Sequence, residues 1–238
     1  MRIAYLDCYC GLSPEMILGA LIDCGLSVAK LQKELDKLKL PKVKIKAEPA
    51  QKGVISGTKF NIESQEPKTG RKLKDILDLI AASELDLKIK ELSKVAYEQL
   101  AEVEAKIHNQ AIDEIHFHEV GRLSAVAKIA GVLSAIKLMG IERIYASEVQ
   151  VGKGFVKCQH GTLPVPCPAS LALLKGIPIY SNGIEAELVT PSGACILKTV
   201  AKDFGPIPKM KIETIGYGAG KKELFIPNFL RIYIGELC

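Results

Sequence analysis

The chain is 238 residues long, 48% hydrophobic and 25% charged, with no tryptophan and a formal net charge of +5. That size and apolar content support a real buried core, which excludes a disordered chain, while apolar stretches such as Ile17 to Ile22 are far too short to span a membrane. The basic residues form no dense run and aromatics are only 5% of the chain, so neither nucleic acid nor membrane is an expected partner.

In chain order, Arg2 to Leu6 read as a short apolar strand ending at Asp7. Asp7 arrives before the apolar region of a signal peptide could form, so a cytoplasmic location is expected. Seven cysteines without paired CxxC spacing then read as free thiols. Ser13 is a good N-cap, Pro14 suits a first helical position and Glu15 suits the positive helix end. That helix should run to about Cys24 and stop at Gly25. Ser27 opens a second helix carrying Leu31, Leu35 and Leu38. Val43, Ile45 and Ala47 alternate with lysines as a half-exposed strand does, and residues 53 to 62 form its hairpin partner.

Residues 63 to 70 are polar and turn-rich, which predicts a linker between an N-terminal αβ subdomain (1–66) and a main α+β domain (71–238). Two helices follow, the second from Ser83 to about His108 with a stripe at Leu85, Ile89, Leu92, Ala96, Leu100, Val103 and Ile107. Residues 115 to 120 read as extended, and Leu123 to Met139 as an apolar helix closed by Gly140. Residues 141 to 151 read as one strand, and Phe155 to Cys158 and Leu163 to Val165 flank a turn at His160-Gly161. A short helix (169–175), a strand (177–180), a helix from Pro191 to about Phe204 and two last strands complete the chain. This irregular alternation predicts an α+β fold, a mixed sheet with helices packed on it.

Several segments carry chemistry. In Ile115-His116-Phe117-His118-Glu119, an extended backbone puts both imidazoles on one face. They could share a divalent metal, which imidazole suits for nickel, zinc and copper. Equally, one could hold a backbone carbonyl while the other meets water. Cys158 lies two residues before His160, so a thiolate and an imidazole could face one ligand, although no third group of a hydrolase is recognisable. Thr190-Pro191-Ser192-Gly193 gathers N–H groups and hydroxyls at a helix start. That is either an anion site or an ordinary cap, and the same choice stands for Ser13 and Glu15. Asp7 ends a strand, where functional carboxylates often lie, and Cys8 and Cys10 share a face if the chain stays extended. Gly216 to Gly220 reads as a turn where backbone approaches something closely.

Taken together, the segments from Tyr5 to Met16, Ile115 to Gly121, Val156 to Pro166, Glu187 to Ala194, Gly216 to Gly220 and Pro227 to Glu236 resemble one family in one order. It is the nickel insertion proteins, which make the nickel-pincer nucleotide cofactor of lactate racemase. The resemblance implies a CTP-dependent nickel chelatase of the lyase class. It would place nickel, a substrate metal, into pyridinium-3,5-bisthiocarboxylic acid mononucleotide with formation of a carbon–nickel bond. On that basis we expect His116, His118, Glu119 and His160 as nickel-binding residues, Asp7, Glu15 and Cys158 as catalytic ones, and Ser13, Thr190, Ser192 and Gly193 around the nucleotide, a division of labour that is our own assignment.

The family pattern differs at three places: Gly-Asp stands where this chain has Pro14-Glu15, two aspartates stand at Ser124 and Lys128, and a histidine-rich stretch stands at Arg71-Lys72-Leu73. With a lysine in place of an aspartate, any cation held there would be lost or replaced by an ammonium. Family members commonly carry a further C-terminal domain, and this chain ends at Cys238. CTP and its divalent cation are therefore expected on a separate C-terminal-domain partner, and a homo-oligomer is a further option. Two other readings stand beside insertion: a diverged binding or scaffold paralogue, and a thiol-dependent enzyme using Cys158 and His160.

Overall fold

The computed structural model describes residues 1–41, 43–64, 70–158 and 161–238. The N-terminal third contains β1 (Arg2–Asp7), α1 (Pro14–Asp23), α2 (Val28–Asp36), β2 (Lys44–Lys52) and β3 (Ile55–Glu63). The middle contains β4 (Arg71–Lys72), α3 (Leu73–Ala82), α4 (Leu87–His108), β5 (His116–Phe117), α5 (Leu123–Leu138), β6 (Arg143–Ala146) and β7 (Val149–Gln150). The last third contains β8 (Phe155–Cys158), β9 (Gly161–Pro164), α6 (Pro168–Leu173), β10 (Ile179–Tyr180), α7 (Pro191–Val200), β11 (Ala201–Phe204), β12 (Met210–Ala219) and β13 (Phe229–Leu237).

The fold is α+β around one seven-stranded mixed sheet of order β11-β6-β1-β13-β12-β3-β2. β1 runs parallel to β6 and antiparallel to β13, so the first strand of the chain sits inside the sheet. The sheet takes strands from both sides of the 66/71 boundary. The linker expected there falls mostly on residues 65–69, outside the described residues. α1 packs on β12, β3 and β13 and against α5, while α4 packs on α3, α5, α6 and α7. Leu18, Leu21, Val132, Leu197, Ile232 and Ile234 meet in the resulting core.

Local signals set most element ends. The Ser13 hydroxyl accepts from the Met16 N–H at 3.2 Å, and Gly25, just past α1, takes φ +103°. The Ser27 hydroxyl caps α2 in the same way.

Five expectations are corrected. α4 starts at Leu87, because Asp86 is its cap, accepting from Lys88 N–H at 3.1 Å. Ser83 instead closes α3 by donating to the Ile80 carbonyl. Of residues 115 to 120 only β5 is a strand, and the following residues turn into α5. Residues 141 to 151 split into β6 and β7, because β6 pairs with β1 while β7 leaves for β10. α7 ends at Val200, where the chain switches to β11 and pairs with β6 as the sheet's edge. Finally, Gly216 and Gly218 are not in a turn but in β12.

At spacing two these glycines point to one face, and that face receives α1. A Cβ on Gly218 would collide with the Met16 carbonyl and one on Gly216 with the Ala20 carbonyl. On the helix side, a Cβ on Gly19 would lie 2.5 Å from the Thr58 carbonyl oxygen. Only bare backbone on both surfaces allows this approach. Gly218→Ala should therefore cost about 3 kcal/mol through forced separation of α1 from the sheet. Gly131→Ala, whose Cβ would find the Leu35 side chain at 3.4 Å, should instead gain up to ~1 kcal/mol of helix propensity. Urea denaturation of both variants checks the opposite signs.

Candidate functional site

A cavity of about 440 Å³ opens where the ends of α4, α1, α6 and α7 meet the histidine segment, α5 and the β8–β9 hairpin. β5 points its two residues opposite ways, with His116 exposed and Phe117 buried, and His118 in the bend that follows is exposed as well. Phe117 is held edge-on to Tyr97, with ring centres 6.0 Å apart. The His116 and His118 rings lie 6.1 Å apart, nearly perpendicular, and both line the cavity together with Glu119. The loop is tightly wound. A Cβ on Gly70 would lie 2.8 Å from the His116 ring, and one on Gly121 2.5 Å from the Phe117 carbonyl oxygen. β4 pairs with β5, so Lys72 sits across from His116, and Arg71 donates to the Gly121 carbonyl at 3.0 Å.

Two pairs missed by sequence reasoning join this wall. Glu104 and His108 sit one turn apart at the end of α4, 3.3 Å from each other, and both line the cavity. Their i,i+4 spacing was a visible signal, but nothing local tied them to His116. The Cys167 thiol donates to Glu187 Oε1 at 2.9 Å. Burial and then the neighbouring carboxylate push this thiol up to about 12. Cys158, at the end of β8, lines the same cavity. His160 lies outside the described residues. Among the described residues, no group of three or more His, Cys, Asp or Glu side chains is arranged to hold a metal ion.

The other wall is made of helix starts. Leu12 N–H donates to the Leu188 carbonyl and Thr190 N–H to the Leu12 carbonyl, so α1 and α7 begin side by side. Gly193 is required by that contact, since its Cβ would lie 2.6 Å from the Leu12 carbonyl oxygen. The Thr190 hydroxyl accepts from Gly193 N–H at 3.1 Å, as Ser13 does from Met16, so both hydroxyls act as caps. Thr190 and Ser192 line the cavity.

Glu15 also lines it, and Oε1 accepts from Lys128 Nζ at 3.1 Å and from Lys221 Nζ at 3.0 Å. Burial alone would raise the Glu15 carboxyl. The two ammonium groups outweigh burial, Lys128 first, and hold it down at about 2. An ammonium thus occupies the place beside this carboxylate, as the departure at Lys128 suggested.

Asp7 is not brought to this cavity. It lines a separate open depression with Ser147, Glu148 and Tyr180, and its carboxylate accepts from Arg231 Nε at 2.9 Å and Tyr233 Oη at 3.2 Å. Cys8 and Cys10 are fully buried nearby. Burial pushes their thiols up to about 12 and 11, with Asp7 reinforcing it at Cys8.

A family model described as "Nickel insertion protein" matches residues 4–237. The chain is 46% identical to a putative nickel insertion protein of Dictyoglomus thermophilum, with 100% of this chain and 61% of that protein covered. It is 46% identical to a pyridinium-3,5-bisthiocarboxylic acid mononucleotide nickel insertion protein of Desulfitobacterium hafniense, with 100% and 59% covered. A Clostridium kluyveri protein of the same description is 42% identical, with 99% and 62% covered. The chain thus spans about three fifths of the length of the curated relatives it matches. No solved structure matches it significantly. Among the described residues, no helix is long and apolar enough to cross a membrane.

Two outcomes are expected. Glu15 binds its proton more weakly folded (about 2) than at its ordinary 4.5. Its contribution is therefore complete above 4.5 and lost as pH falls towards 2. Glu15→Gln should lose about 2–3 kcal/mol at neutral pH, with the deficit shrinking across that window in pH-dependent urea denaturation. Native alkylation followed by mass spectrometry should label Cys158 and the exposed Cys238 first. Cys8, Cys10, Cys24, Cys167 and Cys195, all buried, should react on the order of a hundredfold more slowly than an ordinary thiol.

Proposed function

The chain belongs to the nickel insertion protein family, and from that premise we propose that its cavity receives nickel and a pyridinium-3,5-bisthiocarboxylic acid mononucleotide. Nickel is a substrate in this reading. His116 and His118, with Glu119 and His160, take it up and hand it to the sulfur donors of the nucleotide. Cys158 is a soft ligand on the transfer path. The phosphate lies towards the start of α7, at Ser192, with Thr190, Gly193 and Ser13 keeping the two helix starts in place.

Forming the carbon–nickel bond replaces a ring proton by Ni²⁺, and an imidazole released from the metal, or Glu119, accepts that proton. Glu15, held ionised down to a pH of about 2, is too weak a base for that task and acts through its charge. Asp7, in its separate depression, has no step in this reading.

What supports the reading is one observation: His116, His118, Glu119, Cys158, Glu15 and Ser192, drawn from distant parts of the chain, line one cavity. CTP with its divalent cation belongs to the same proposal and is held outside this cavity; the curated relatives are longer than the stretch they share with this chain. A cytoplasmic setting goes with this reading, and the seven thiols, all free, suit it.

One observation favours a second reading, a binding paralogue that holds nickel or nucleotide without joining them. Lys128 and Lys221 occupy the Glu15 carboxylate, and Lys72 stands across from His116.

Calorimetric titration with nickel should show binding by the wild-type chain and none by the His116→Ala/His118→Ala double variant. Unchanged affinity would remove the metal assignment. Nickel transfer to the mononucleotide, in a mixture supplied with CTP and with and without an added C-terminal region of a curated relative, separates insertion from binding alone.

A further inference from the structure

The last turn of α4 carries a donor pair that the proposed function leaves unused. His108 Nε2 and Glu104 Oε2 stand 3.3 Å apart, and both residues line the cavity. Two donors bound to one ion at about 2.1 Å lie about 3.0 Å apart at a right angle and about 3.4 Å apart at the tetrahedral angle. The observed spacing falls between these values, so the pair is already set as two adjacent ligands of one divalent cation.

The helix also aims the pair. Glu104 and His108 follow Tyr97 by seven and eleven residues, close to whole numbers of turns at 3.6 residues each, so all three share one face. Tyr97 fastens that face to the histidine segment: its hydroxyl donates to the Val120 carbonyl at 3.1 Å, and its ring meets Phe117 edge-on. His108 is the last residue of α4, where the negative end of the helix dipole favours a cation. The cavity as a whole points the same way. Among the described residues its lining carries Glu15, Glu104, Glu119 and Glu187 against Lys128 and Lys157, an excess of negative charge. Glu15 is held by Lys128 and Lys221, and Glu187 takes the Cys167 thiol, which puts Glu104 and Glu119 nearest to the histidines as cation-seeking carboxylates.

We propose that Glu104 Oε2 and His108 Nε2 are ligands of the nickel ion, a preset chelate on which His116 and His118 close. This rests on the proposed function in taking nickel as the cargo. Among the described residues no three His, Cys, Asp or Glu side chains converge as they stand. Closing therefore turns the exposed His116 and His118 side chains, a rotation that exposed side chains make within nanoseconds. Two preset donors suit a cargo ion. They locate it and leave its other positions to water, the imidazoles and the incoming sulfur donors, whereas a closed four-ligand site would keep it. An ion pair that served only the helix would steady its last turn and leave nickel affinity unmoved.

Nickel chloride titrated calorimetrically into the full chain separates these roles. His108→Ala and Glu104→Gln should each lower nickel affinity on the order of tenfold or more. Glu104→His breaks the ion pair but leaves two imidazoles one turn apart, so it should keep nickel affinity. X-ray absorption of the nickel-loaded chain should count one imidazole fewer in His108→Ala than in the wild type. A His108→Ala chain that binds nickel as the wild type does, or a Glu104→His chain that loses nickel as Glu104→Gln does, would overturn the proposal.

The same titrations tell the two proposals apart. Affinity that is lost with His116 and His118 but indifferent to His108 defeats the helix chelate alone. Affinity that depends on Glu104 and His108 but survives in the His116→Ala/His118→Ala variant defeats the metal assignment of the proposed function and leaves Glu104 and His108 as nickel ligands. A wild-type chain that binds no nickel defeats both.

Discussion

The close approach of α1 to β12 is the constraint on which the site depends. Gly19 on the helix and Gly216 and Gly218 on the strand leave no side chain between two backbones. The helix is therefore pinned in depth and in rotation, since any Cβ there would push it away. Its start is pinned too, with Leu12 bonded between Leu188 and Thr190. That places the start of α1 beside the start of α7 and sets Glu15 at the cavity rim. The same strand continues through Gly220 to deliver Lys221 to Glu15. One packing contact thus fixes the positions of a carboxylate, an ammonium and two helix ends.

Within the cavity, cation-accepting and anion-accepting groups come from different elements. The end of α4 and the histidine segment supply Glu104, His108, His116, His118 and Glu119. The helix starts and α5 supply Glu15, Lys128 and Ser192. A buried carboxylate without partners would be costly and would take up a proton. Glu15 instead keeps its charge because two lysines meet it. The thiols follow the opposite rule. At Cys167 burial and a carboxylate act together, which keeps it protonated and donating to Glu187.

Much of this was legible before any tertiary structure. Ser13, Ser27 and Gly25 mark helix ends because capping is a contact between residues two to four apart. His116 and Phe117 point opposite ways because a strand alternates, whatever it packs on. The apolar helix from Leu123 and the hairpin after Val43 follow from periodicity in the same manner. Where local signals competed, reading by propensity went astray. Ser83 and Asp86 are both cap residues, and packing chose Asp86 to open α4. The stretch after Val200 could extend α7, but the open edge of β6 offered hydrogen bonds to a strand instead.

The sequence by itself therefore determined the fold class and many element boundaries, because helix caps and periodicity rest on contacts within a few residues. Only the tertiary structure decided which residues share a site. It separated Asp7 from Glu15, brought Glu104, His108 and Cys167 to the histidines, and turned the glycine-rich segment from a turn into a seat for α1. The pairs that keep Glu15 ionised, Lys128 with Glu15 and Lys221 with Glu15, lie 113 and 206 residues apart. No periodicity or motif carries information over that distance; packing of the sheet and its helices does.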